Sequence, residues 1–129
     1  MTLQLDSTLD STLDLTLPTE TYDGAWYPIC RLEDLELCWG EAALIHGRQV
    51  ALFRVNSTTV FAVSHRDPVS GSQVMARGIV GSRGQRFTIT SPLHKELYFL
   101  DSGEPASGLG TALRSFPTRV IDGTVEVLV

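Results

Sequence analysis

Two cysteines and three histidines are all that this 129-residue sequence supplies in the way of thiolates and imidazoles. Cys30 and Cys38 are too few for a disulfide framework, and their spacing fits no common metal motif, so both are expected to be buried free thiols in a reducing compartment. Positive charge is missing from the start. Residues 1–23 hold five acids (Asp6, Asp10, Asp14, Glu20 and Asp23) and no Lys or Arg, whereas from Gly24 onward ten acids face ten bases. A neutral body without a basic stripe excludes a nucleic-acid-binding surface of the usual kind. Long apolar runs are absent too, so no membrane-spanning helix is expected. The opening "MTLQLDSTLDSTLDLTL" repeats an S-T-L-D unit and has neither the basic nor the apolar region of a secretory signal. The location implied is cytoplasmic.

The length suits one domain with one core. Residues 1–23 read as an acidic tail, mobile or loosely docked, with an edge strand as the alternative. Residues 24–129 read as the folded domain, and nearly every segment has a strand signature. "EAALIHGRQVALFRV" sets two apolar runs about a His46-Gly47-Arg48 turn, and "NST" at residues 56–58 leads into "TVFAV". "GIVGS" and "RFTIT" flank Arg83-Gly84-Gln85, and "LYFL" precedes Asp101-Ser102-Gly103. In "TRVIDGTVEVLV", Asp122-Gly123 supplies the positive φ angles of a type I′ turn, with Val125, Val127 and Val129 on one face of the return strand. Helical signals are confined to residues 32–35 and 111–116. The class predicted is all-β, an antiparallel sandwich or small barrel with short helical turns.

Two loops break this pattern, "SHRDPVSGSQ" at residues 64–73 and "SPLHKE" at residues 91–96, each carrying a proline and a histidine. Ser64 or Ser91 as nucleophile, His65 or His94 as base and Asp67 as orienting acid form one reading. It lacks a nucleophile elbow, and adjacent Ser and His point to opposite faces of an extended chain. A metal site on His65 and His94, aided by Asp67 or Glu96, would need a further ligand. Ordinary polar loop residues are the plain alternative. "GEPASGLG", residues 103–110, lacks the Gly-Lys-Ser/Thr ending of a phosphate loop and reads as a surface loop.

Residues 60–103 resemble the Rieske iron-sulfur domain in the order of their elements: loop, strand, second loop, aromatic strand, glycine turn. Asp67-Pro68-Val69 stands where that family has Cys-Pro-His, and Ser91-Pro92-Leu93-His94 where it has Cys-Pro-x-His. The four ligand positions therefore hold Asp67, Val69, Ser91 and His94, of which His94 alone is a ligand the family uses. A cluster of this kind needs two thiolates on one iron and two imidazoles on the other. With "WYPICRLEDL", "GRQVALFRV" and the "VIDGTVEVLV" ending, the chain is similar to the small subunits of assimilatory NADH-dependent nitrite reductases.

That resemblance implies a non-catalytic chain with no cofactor of its own, partnered by a large subunit carrying FAD, [4Fe-4S] and sirohaem that reduces nitrite to ammonia. The docking face implied is the loop tip: Pro68, Val69, Pro92, Leu93 and His94. Three other readings stand beside it. Val69 and Leu93 fill the cavity of the missing cluster, or the domain is an adaptor of another reductase or pathway, or it is a His-based mononuclear metal protein.

Overall fold

A computed structural model describes residues 2–5 and 24–129. Eleven strands are present among them: β1 (Thr2–Leu5), β2 (Trp26–Arg31), β3 (Gly40–Ile45), β4 (Arg48–Arg54), β5 (Val60–Ser64), β6 (Ile79–Arg83), β7 (Arg86–Thr90), β8 (Leu97–Phe99), β9 (Ser115–Phe116), β10 (Thr118–Ile121) and β11 (Thr124–Leu128). They form a five-stranded sheet in the order β1-β3-β4-β5-β9 and two three-stranded sheets, β10-β11-β2 and β6-β7-β8. All pairs are antiparallel except β1 with β3. The all-β expectation is met.

The continuous apolar runs of β4 and β5 have a simple cause: both faces of these strands are covered. Val50, Leu52, Val60 and Ala62 face one core, shared with Val125, Val127 and Val129 of the C-terminal hairpin. Ala51, Phe53 and Val63 face a second core, shared with Ile89, Tyr98 and Leu100. The β3–β4 and β10–β11 connections are two-residue turns whose central residues, His46-Gly47 and Asp122-Gly123, all have positive φ (52°, 77°, 50° and 80°). These are the angles a type I′ hairpin requires. In the edge strand β2, Pro28 lacks an N–H, and the register slips beside it: Val125 lies opposite Cys30 and Glu126 opposite Pro28.

Three expectations need comment. Residues 32–35 do contain a 3-10 turn, Leu32–Asp34, but residues 111–116 are not helical, because Ser115 and Phe116 extend the central sheet beside Val63 and Ala62. Tertiary pairing overrides the weak local preference there. The thiols also depart from expectation: Cys30 is half-buried, but Cys38 is exposed in an outward turn. Of the acidic segment 1–23, Thr2–Leu5 pair as the edge strand β1 against β3; the expectation for the other residues lies outside the described ones. No helix among the described residues is long and apolar enough to cross a membrane.

Candidate functional site

Both interrupting loops leave the ends of strands that pack together, and one glycine helps to bring them into contact. A Cβ on Gly78, just after the first loop, would fall 2.4 Å from the carbonyl oxygen of Thr90, the residue before the second loop. Only glycine permits that approach without displacement. The loops then meet through a single side-chain pair. Ser91 Oγ donates to Asp67 Oδ2 at 2.6 Å, and the two residues are 1% and 0% exposed.

Each member of this pair also organises its own loop. The Asp67 N–H donates to the Ser72 carbonyl and its carbonyl accepts from the Gly71 N–H, both at 2.8 Å. Its Oδ1 accepts from the Val69 N–H at 2.8 Å and from the Ser70 N–H at 3.4 Å. Such a local acceptor is what makes Asp a turn former. Ser91 behaves alike: its N–H donates to the Glu96 carbonyl (2.9 Å) and its carbonyl accepts from the Lys95 N–H (3.0 Å). Its Oγ accepts from the Leu93 N–H at 3.3 Å. Burial opposes the Asp67 charge, but the Ser91 hydroxyl, the Val69 and Ser70 amides and nearby His94 outweigh it and hold the carboxyl below its usual range. Burial, with the charges of Asp67 and Glu96, pushes the Tyr98 phenol upward.

The other two ligand positions face water. Val69 is 60% exposed and Leu93, beside His94, 52%; Pro92 and His94 are exposed as well, and Pro68 is half-buried. Val69 and Leu93 thus do not fill an internal cavity. They form an apolar tip over a polar clasp.

The hydrolase-like reading finds no matching contacts. The Ser91 hydroxyl is committed to Asp67, Ser64 Oγ accepts from the Arg66 N–H, and His65 Nδ1 accepts from the Ala76 N–H at 3.1 Å. Burial and the charge of Arg77 lower the His65 pKa. Among the described residues, no three His, Cys, Asp or Glu side chains converge as a metal site. The donor set also fails to fit a [2Fe-2S] cluster: valine has no lone pair, and the two positions that would supply thiolates hold oxygens in hydrogen-bond contact, with no space for iron between them. The sequence named the four ligand positions and the tip residues but neither the Asp67–Ser91 bond nor the role of Gly78; serine at one first-ligand position and aspartate at the other was the signal for the bond.

Two cross-linked loops at the ends of packed antiparallel sheets define a Rieske-like domain, and the family model described as the Rieske-like [2Fe-2S] domain matches residues 25–128. The nitrite reductase (NADH) small subunit of Salmonella typhimurium is 33% identical over 103 residues, covering 79% of this chain and 95% of that one. A crystal structure from Mycobacterium tuberculosis, described as a candidate NADH-dependent nitrite reductase small subunit, superposes with a TM-score of 0.77 at 37% identity, covering 81% of this chain and 95% of the other. The chain belongs to the family of NADH-dependent nitrite reductase small subunits. A nitrite reductase [NAD(P)H] large subunit from Klebsiella oxytoca is 34% identical over 102 residues, which are 79% of this chain and 11% of that protein.

Proposed function

We propose that this chain is the non-catalytic small subunit of a cytoplasmic NADH-dependent nitrite reductase, binding and stabilising a large subunit that reduces nitrite to ammonia in nitrate assimilation. FAD, [4Fe-4S] and sirohaem belong to the large subunit in this reading, and the small chain works without a cluster. The observation that carries it is the buried Asp67–Ser91 hydrogen bond, which gives the two loops a fixed shape from the residues at the thiolate positions. A covalent bond between loop and cluster is replaced by a polar clasp, and the tip it supports exposes Val69 and Leu93. Exposed apolar residues on a rigid support suit a protein interface. The Klebsiella oxytoca protein supports the choice of partner, since there a similar domain forms part of a large subunit.

The test is affinity purification of the chain from its native cells grown on nitrate, with assay of NADH-dependent nitrite reduction and metal analysis of the isolated chain. Co-purification of a large sirohaem-containing partner with activity is expected, and iron far below two atoms per small chain. A chain recovered alone from cells with active reductase contradicts the subunit reading. Stoichiometric iron on the isolated chain contradicts the cluster-free reading.

A further inference from the structure

A second face owes its shape to the residues just before β3. The guanidinium of Arg54 donates to the carbonyls of Leu32 (3.4 Å) and Leu35 (3.2 Å), fastening that segment to β4. The Cys38 N–H donates to the Arg54 carbonyl at 2.7 Å, and the Trp39 N–H to the Glu36 carbonyl at 3.3 Å. Cys38 is held at φ 59°, a conformation that non-glycine residues keep only when their surroundings impose it. The outcome is a fixed turn that leaves Leu37 58% and Trp39 63% exposed. Gly40 follows, where a Cβ would stand 2.1 Å from the Ala76 carbonyl oxygen. The start of β3 therefore lies directly against the 3-10 turn Met75–Arg77.

Between these segments is a cleft of about 590 Å³, lined by Cys38, Trp39, His65, Gln73 and Arg77 among others and by no carboxylate. Ile79, next to the lining residue Gly78, is 73% exposed. His65 is 8% exposed. Because its Nδ1 accepts from the Ala76 N–H, the neutral ring carries its proton on Nε2, which has no partner among the described residues. The cleft thus offers one exposed indole, aliphatic neighbours, a guanidinium and the imidazole N–H of His65.

We infer that this cleft is a second docking face for the large subunit. It takes a segment that lays an apolar or aromatic side chain on Trp39 and sets a carboxylate near Arg77 and His65 Nε2–H. The inference rests on the subunit reading above. Trp and Arg are the residue types that dominate binding hot spots, and a cation with donors and no acid calls for an acidic partner. A second copy fits poorly, because a two-fold self-contact through this face turns Arg77 toward its own counterpart. The face is also continuous with the loop tip: Gln73 lines the cleft, and its bridge to Arg66 closes the loop that carries Val69. One partner can cover both.

Cys38 provides the probe, since it is exposed beside Trp39, while burial together with Asp34 and Glu41 pushes the Cys30 thiol up to about 11. Maleimide labelling at neutral pH, read by mass spectrometry, compares the free chain with the purified two-subunit complex. Labelling of Cys38 is expected to slow at least about tenfold in the complex, and Trp39→Ala and Arg77→Glu each to weaken large-subunit binding at least about tenfold with the melting temperature kept. An active complex in which Cys38 labels at the free-chain rate overturns this inference alone. Failure to form any complex overturns the subunit reading with it. Protection in the isolated chain that disappears on dilution assigns the face to a second copy and overturns it as well.

Discussion

The four positions aligned with Rieske ligands divide into an inner pair and an outer pair. Asp67 and Ser91 are buried and hydrogen-bonded to one another; Val69 and His94 face solvent. A cluster would tie all four to one centre, and without such a tie the two pairs come under different physical demands. The inner pair must satisfy buried polar groups and close two turns, so it holds an acid and a hydroxyl. The outer pair is exposed and closes no turn, although His94 still acts on the Asp67 charge, so its composition is freer to follow whatever surface the tip contacts. The inner pair ties the two loops to one another, and backbone bonds close each turn.

The sharpest way to break this division is to remove the inner acceptor. Asp67→Ala leaves the buried Ser91 hydroxyl and the part-buried Val69 and Ser70 amides without their acceptor, and a loss of about 3 kcal/mol is expected. For a domain of this size that is a fall of roughly 15 °C in melting temperature; an unchanged thermal transition would mean that the clasp does not hold the loops. Ser91→Ala removes the bond to Asp67 and the longer one from the Leu93 N–H but leaves the Val69 and Ser70 amides satisfied, so about 1–2 kcal/mol is expected. Urea unfolding of both single variants and the double should return a coupling of about 1 kcal/mol or more, whereas simple additivity would separate the two residues.

Acid titration sharpens the same contrast. The Asp67 pKa is lowered in the fold, so below its unfolded value, about 3.9, the unfolded chain binds the proton first. Stability is therefore complete above that value and is lost as pH falls through the folded pKa. Asp101, held low by its pairing with Arg86 against a smaller effect of burial, acts in the same direction. Comparison with Asp67→Asn isolates the Asp67 contribution: the variant should show a shallower acid limb, and an identical limb would count against an ionised clasp. A smaller effect is expected from His65, whose pKa is lowered. As pH falls below about 6.5 the unfolded chain gains a proton that the fold refuses, and stability declines until the folded pKa is passed. His65→Asn, which retains an acceptor for the Ala76 N–H, should flatten this slope between pH 7 and pH 5 in urea unfolding.

Much of the fold was legible because it rests on local chemistry. Asp122-Gly123 announces positive φ and His46-Gly47-Arg48 a turn, and the apolar runs of β4 and β5 announce strands; that both faces of those strands are covered is visible only in the fold. What escaped were features decided by distant contacts. Nothing local says that Ser91 reaches an aspartate in another loop, or that residues 111–116 extend a sheet rather than coil. Cys38 was expected inside because thiols generally are; its position is set by the turn that Arg54 fastens. Val69 and Leu93 were legible as an exposed apolar tip, with cavity filling as the alternative, and their exposure decides for the first.

The most direct measurement is the affinity of the purified large subunit for the Val69→Asp/Leu93→Asp double variant, taken beside its thermal stability. Both residues are more than half exposed, so stability should change by no more than about 0.5 kcal/mol. Affinity should fall at least about tenfold if the tip docks. Full affinity in a stable variant would contradict the docking role of the tip.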